Sequence, residues 1–177
     1  MKHTGYWNEL EMLSNLNLCE KQKLFINWQK EHYKDITVTQ LSELSSDIRK
    51  ALSDFASKHK MVKHECYSNS CKFIIDFFHK DIKEIRYCEG KVHVCSISIE
   101  HAWIHIYMND DTDFYFDPTK EFILDEDTTN DIDDYVSLIE LNKDEVFHRM
   151  LKHKYYGNWF NEEFIDWYKI NHQKDND

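Results

Sequence analysis

The hydrophobic period of this chain changes twice along its length. In the first sixty residues apolar side chains recur at helical spacing. Trp7, Leu10, Leu13 and Leu16 form one stripe, and Leu24, Phe25 and Trp28 a second. Leu41, Leu44, Ile48, Leu52 and Phe55 form a third, with Thr39 as its capping residue. Lys91 to Ile97 and His101 to Met108 then alternate. Phe114-Tyr115-Phe116 follows the turn-forming Asn109-Asp110-Asp111, so this stretch reads as an antiparallel meander, with Tyr135–Leu141 as a further strand. Helical spacing returns behind Asn142 with Val146, Phe147, Met150 and Leu151, and again with Phe160, Phe164, Ile165, Trp167 and Tyr168. No repeat or linker interrupts the pattern. The chain therefore reads as one α+β domain, residues 1–177, with a helical part (1–60), a central part (61–120) and an acidic loop followed by helices (121–177).

Composition narrows the options. Length of 177 residues with 41% hydrophobic and 15% aromatic content is enough to bury a core without a disulfide framework. Only 3 Gly and 1 Pro exclude collagen-like and linker-like chains. No apolar run has the length of a signal peptide or a membrane span, and the five cysteines are odd in number and irregularly spaced. These features predict a cytoplasmic protein with reduced thiols. The net charge of −11 argues against a phosphate-binding surface, so no direct nucleic-acid binding and no membrane partner are expected.

Ten of those eleven charges are local. Asp110 to Asp134 holds eleven acids and one base, Lys120. Such a block is either a solvated loop region or an interaction surface.

The chemistry centres on Cys66. Ser68 and Asn69 are N-cap residue types, and Phe73, Ile74, Phe77 and Phe78 make an apolar helical face, so Cys66 stands just before or within the first turn of a buried helix. The partial positive charge at a helix start favours a thiolate, and its amides are donors for a developing oxyanion. A thiol nucleophile also needs a base and a group that orients the base. On an alternating strand His101, Trp103, His105 and Tyr107 share one face. Parity puts Tyr115 and Asp117 on that face too. With a turn centred on Asn109, His101 lies directly opposite Asp117; a two-residue slip makes the pair diagonal neighbours, and parity does not choose. Either register supplies the Cys-His-Asp logic of acyl transfer at amides, with His101 as general base and then acid.

The order of these residues resembles the transglutaminase-like branch of the papain-like cysteine enzymes. More narrowly, it is similar to small phage and bacterial proteins with a Cys-x-x-Asn helix start, a Tyr-x-Glu-Gly strand, a His-Ala-Trp strand and an Asp-Pro-Thr. Here these stand as Cys66-Tyr67-Ser68-Asn69, Tyr87-Cys88-Glu89-Gly90, His101-Ala102-Trp103 and Asp117-Pro118-Thr119, with 35 residues from Cys66 to His101 and 16 more to Asp117. The resemblance spans Glu65 to Thr119. It implies a papain-like or transglutaminase-like core, a nucleophile helix packed on an antiparallel sheet. It also implies a thiol hydrolase or acyltransferase (protease, glutamine deamidase or transglutaminase) without a cofactor. Ser70 departs from the alanine that usually follows the helix asparagine. No papain-like oxyanion glutamine is evident; Gln40 is a remote candidate, and the Cys66 amide is the better one.

Three further residues are candidates for substrate contact. Trp103 either walls the pocket or pairs across strands with Tyr115. Asn69 either meets substrate or pins the helix. Glu89 either shapes the site or replaces Asp117 as the orienting carboxylate. Cys71 reads as a core thiol and His64 as a surface residue. A metal site is not expected: there is no Cys-x-x-Cys pair, and His101 and His105 on one strand stand about 13 Å apart.

The expected partner is a protein or peptide substrate. Because the acidic block contains Asp117, it is expected to rim the site and steer basic substrates toward it. The alternative is a binding or inhibitor protein whose 110–134 surface engages a basic partner or mimics nucleic acid.

Overall fold

The computed structural model describes residues 5–95, 97–124 and 132–172. Helices α1 (Gly5–Ser14) and α2 (Glu20–His32) lead into β1 (Lys34–Ile36). Helices α3 (Ser46–His59) and α4 (Cys66–Asp76) precede the meander β2 (Ile82–Val94), β3 (Ile97–Met108) and β4 (Asp113–Phe116). Helix α5 (Pro118–Ile123), strand β5 (Ile132–Leu141), α6 (Lys143–His153) and α7 (Trp159–His172) complete the described chain. The five strands form one open antiparallel sheet in the order β1-β5-β2-β3-β4. The architecture is α+β.

Local chemistry sets the boundaries. Asn142 accepts from the Glu145 amide while Glu145 accepts from the Asn142 amide, a reciprocal cap that starts α6. Asp117 caps α5 with Pro118 at the first helical position, where a missing N–H is harmless. The helix expected from Thr39 divides: Leu41–Glu43 is a single 3-10 turn, and Ser45 caps α3. Phe78, expected on the apolar face of α4, is 84% exposed, because α4 ends at Asp76. β1 falls inside the stretch read as helical; three residues are too few to display a period.

Strand β2 begins well before the alternation starts. It is the central strand, and Tyr87, Cys88, Glu89 and Gly90 are buried in succession, so both faces are covered and the pattern loses its polar half. Gly90 is required there. A Cβ at this position would lie 1.9 Å from the carbonyl oxygen of Val136, where the β2–β5 register shifts.

The sheet is strongly curved. Two residues beyond β1, at one edge, Val38 forms an isolated parallel bridge with Tyr115 of β4, at the other edge. Two residues span at most about 7 Å, so the edges nearly meet although the sheet does not close. Cys88, Val92, Trp103, Tyr115 and Tyr135 pack together on one face. The other face carries two helical layers. Tyr87 and Ala102 pack with residues of α1, α2, α4 and α7, and Ile104, Ile106 and Phe116 with residues of α3 and α4. Among the described residues no helix is long and apolar enough to cross a membrane.

Candidate active site

Cys66 is the first residue of α4, and Glu65 ahead of it gives no side-chain cap. The first amides of an α-helix have no intrahelical partner, so the donors beside Cys66 are available to a ligand. What fixes this helix start is Asn69. Its Oδ1 accepts from the Val62 amide (3.0 Å), and its Nδ2 donates to the Val62 carbonyl (2.8 Å) and to Thr119 Oγ1 (3.1 Å). One buried amide thus ties the loop entering α4, the helix itself and the start of α5 together.

His101 lies on β3 and Asp117 at the end of β4. Ile104 pairs with Phe116 and His105 with Tyr115, so extending the ladder sets Asp117 opposite Trp103 and makes His101 its diagonal neighbour. This is the slipped register. His101 Nε2–H donates to Asp117 Oδ2 at 2.6 Å. The Cys66 thiol lies close enough to the ring to favour its charged form, and the other ring nitrogen is not used by Asp117.

The carboxylate of Asp117 is saturated. Oδ2 accepts from His101 and from the Tyr135 hydroxyl (2.8 Å), and Oδ1 accepts from the Thr119 and Lys120 amides (3.0 Å each). Two oxygens offer about four acceptor positions, so four donors leave no room for a proton. Burial pushes the Asp117 carboxyl up, but the His101 charge and hydrogen bond, the Lys120 amide and the Tyr135 hydroxyl hold it below its ordinary value. Burial likewise works against the charged form of His101. The Asp117 charge and hydrogen bond, with the Cys66 hydrogen bond, override it and lift His101 to about 10.

The three expected substrate contacts, Trp103, Asn69 and Glu89, each have 0% exposure. Trp103 packs edge-on against Tyr135, with ring centroids 5.4 Å apart, and forms a floor beneath His101. Asn69 has its donors and acceptor committed as described. Glu89 is bonded away from His101: Tyr87 Oη–H donates to it (2.6 Å), as do the Trp159 (2.5 Å) and Phe160 (3.1 Å) amides at the start of α7. Burial raises its carboxyl to about 7 against these bonds. The side chains therefore support the site from within, and Glu89 does not stand in for Asp117. Gln40 is exposed, and its side chain neighbours Ser42 in the 3-10 turn.

Two functional groups escaped sequence reasoning. Tyr135 on β5 is the fourth donor to Asp117, and the strand order that brings β5 near β3 is not encoded in periodicity. Thr119 receives the Asn69 bond; its place in Asp117-Pro118-Thr119 was the available signal.

Three acids of the expected rim lie elsewhere. Asp117 is enclosed, and Asp110, Asp111 and Asp113 lie around the β3–β4 turn, at the end of β3 remote from His101, about 23 Å along the strand. Asp113 accepts from His105 Nε2 (2.6 Å), whose Nδ1 faces Glu140 (3.2 Å), so His105 serves a separate cluster. Residues 125–131 of the acidic block lie outside the described residues. Among the described residues no group of three or more His, Cys, Asp or Glu side chains could hold a metal ion.

No family model, curated protein or solved structure matches the chain.

Proposed function

We propose that this protein is a cysteine-dependent hydrolase or acyltransferase acting on amide bonds of a protein or peptide, built on a papain-like core. The observation that carries the reading is the bond from His101 to a saturated Asp117 carboxylate, with the Cys66 thiol close enough to the imidazole to favour its charged form. Four donors on Asp117 keep it ionised, an ionised Asp117 keeps His101 charged, and a charged His101 favours the Cys66 thiolate.

The chemistry follows from these positions. Sγ of Cys66 attacks the amide carbonyl, and the oxyanion that forms is met by the free amides at the start of α4. The C–N bond breaks as His101 gives its proton to the departing amine. Water or a second amine then attacks the thioester, His101 takes its proton, and Sγ of Cys66 leaves as the thiolate, which restores the starting pair.

Iodoacetamide at neutral pH is the test. Cys66 is expected to alkylate faster than the exposed Cys19, and Cys66→Ala to abolish turnover of any identified substrate with little change in Tm, since the side chain is small and half-buried. Alkylation of Cys66 no faster than that of Cys19, or full activity in Cys66→Ala, would remove the reading. Intact-mass spectrometry of candidate proteins separates cleavage, deamidation and cross-linking.

A further inference from the structure

The residue after the nucleophile, Tyr67, packs against the main chain of Gly157. A Cβ at Gly157 would fall 2.0 Å from Tyr67 Cγ. Gly157 belongs to the connection between α6 and α7, residues 154–158. Three of these five residues have positive φ: Lys154 (62°), Gly157 (80°) and Asn158 (57°). Lys154 is the ordinary left-handed C-cap that ends α6; at Gly157 and Asn158 such backbone persists where the surroundings impose it.

Here the surroundings do impose it. At one end the Lys154 amide donates to the Met150 carbonyl (2.8 Å). At the other, the Trp159 and Phe160 amides are gripped by the enclosed Glu89 carboxylate. Gly157 itself is buried on Tyr67. A connection held at both ends and in the middle nonetheless leaves Tyr155 and Tyr156 each 47% exposed. The Tyr155 hydroxyl is tied to Glu162. Among the described residues Tyr156 has no hydrogen-bond or ring partner.

A tyrosine on rigid backbone offers a large amphipathic contact surface at little conformational cost. Tyr156 is one Cα step, about 3.8 Å, from the glycine that touches Tyr67, and Tyr67 is one step from Cys66. That contact and one chain step on either side are all that separate Tyr156 from Cys66, within the reach of a few residues of extended polypeptide at about 3.3 Å each.

We infer that the 154–158 connection is the substrate wall of the Cys66 site, and that Tyr156 seats a side chain of an extended polypeptide whose amide is presented to Cys66. The inference rests on the thiol reading of that site. Glu89 acts in it as a positioning residue, clamping the connection without touching substrate.

Two thiol probes of different size test it on the full chain. Iodoacetamide reports the thiol alone. A mixed-sequence octapeptide with a C-terminal chloromethyl ketone reports the thiol and the wall; Sγ forms a bond to the methylene carbon and chloride leaves. Rates at Cys66 and Cys19 are followed by peptide mass mapping. Tyr156→Ala is expected to slow peptidyl labelling of Cys66 about tenfold, as the loss of one aromatic contact does. Iodoacetamide labelling should stay within about twofold, and Tyr156→Phe should keep most of the peptidyl rate. Unchanged peptidyl labelling in Tyr156→Ala overturns the inference. So does a parallel fall in both rates, which would mean that the connection acts on the thiol rather than on the peptide. If the peptidyl probe does not prefer Cys66 over Cys19 in the natural protein while iodoacetamide does, the wall fails and the thiol reading stands. If iodoacetamide shows no preference either, both fail.

Discussion

Replacing Asp117 by Asn separates the electrostatic role of this carboxylate from its structural one. The Asn Oδ1 can still accept from the Thr119 and Lys120 amides, so the cap of α5 survives. The new Nδ2 is a donor placed where His101 Nε2–H and the Tyr135 hydroxyl now donate. The hydroxyl can rotate and become an acceptor. The imidazole answers by moving its proton to the other ring nitrogen, and with the carboxylate gone only Cys66 still works against burial. His101, lifted to about 10 chiefly by Asp117, then falls well below that value, because burial disfavours its charged form. Without an imidazolium beside it the thiol loses its activating charge, so alkylation of Cys66 at pH 6.5 should fall by about tenfold or more. Turnover should fall further, on the order of 10³–10⁴, since the misplaced proton also blocks general-base action. The stability cost should be about 1–3 kcal/mol, that of one misplaced buried donor. The assay is iodoacetamide labelling across pH 5.5–8.5, with urea unfolding alongside. An Asp117→Asn protein that unfolds like the natural one and alkylates at an undiminished rate at pH 6.5 would refute the relay.

Three further outcomes are expected. Asn69→Ala removes three bonds and strands the Val62 amide, the Val62 carbonyl and the Thr119 hydroxyl; urea unfolding should register a loss of about 3 kcal/mol, with slower alkylation of Cys66. Glu89, lifted from 4.5 to about 7 by burial, binds its proton more tightly folded than unfolded, so its contribution to stability declines as pH rises from 4.5 to 7. The decline is about 3 kcal/mol, and Glu89→Gln should remove it; a stability gap between the two proteins that stays constant from pH 4.5 to 8 contradicts this. Gly90→Ala drives a methyl into the Val136 carbonyl and should lower Tm by about 10 °C in a thermal melt, corresponding to about 3 kcal/mol.

The sequence was informative where side-chain chemistry is local. Asn142 announces α6, and the alternation from His101 to Met108 gives the face that carries His101 and Trp103. The link between His101 and Asp117 was legible as parity, but its register was not. Register depends on how the Asn109-Asp110-Asp111 turn is built, and Asp111 takes a left-handed φ of 63° there. β2 was seen only in part because central strands lose their alternation. Tyr135 was invisible as a partner of Asp117, since the return of β5 to the free edge of β2 is a tertiary choice. The acidic block misled for a related reason. Closeness in sequence to Asp117 did not make Asp110 and Asp111 its neighbours in space, because a strand carries charge away from a site as readily as toward it.

The pairing of β1 with β5 constrains how this molecule is born. Lys34 lies opposite Ser137, so the first strand made has its partner more than a hundred residues downstream. Cys66, His101 and Asp117 are all synthesised before that partner. Helix α4 and the β2–β3–β4 meander can assemble from contacts of shorter range, but Tyr135, the last donor to Asp117, arrives on the same strand that closes the edge. Non-local pairings of this kind are the slow ones in folding. The thiol is therefore synthesised early and its relay completed late, with the arrival of β5.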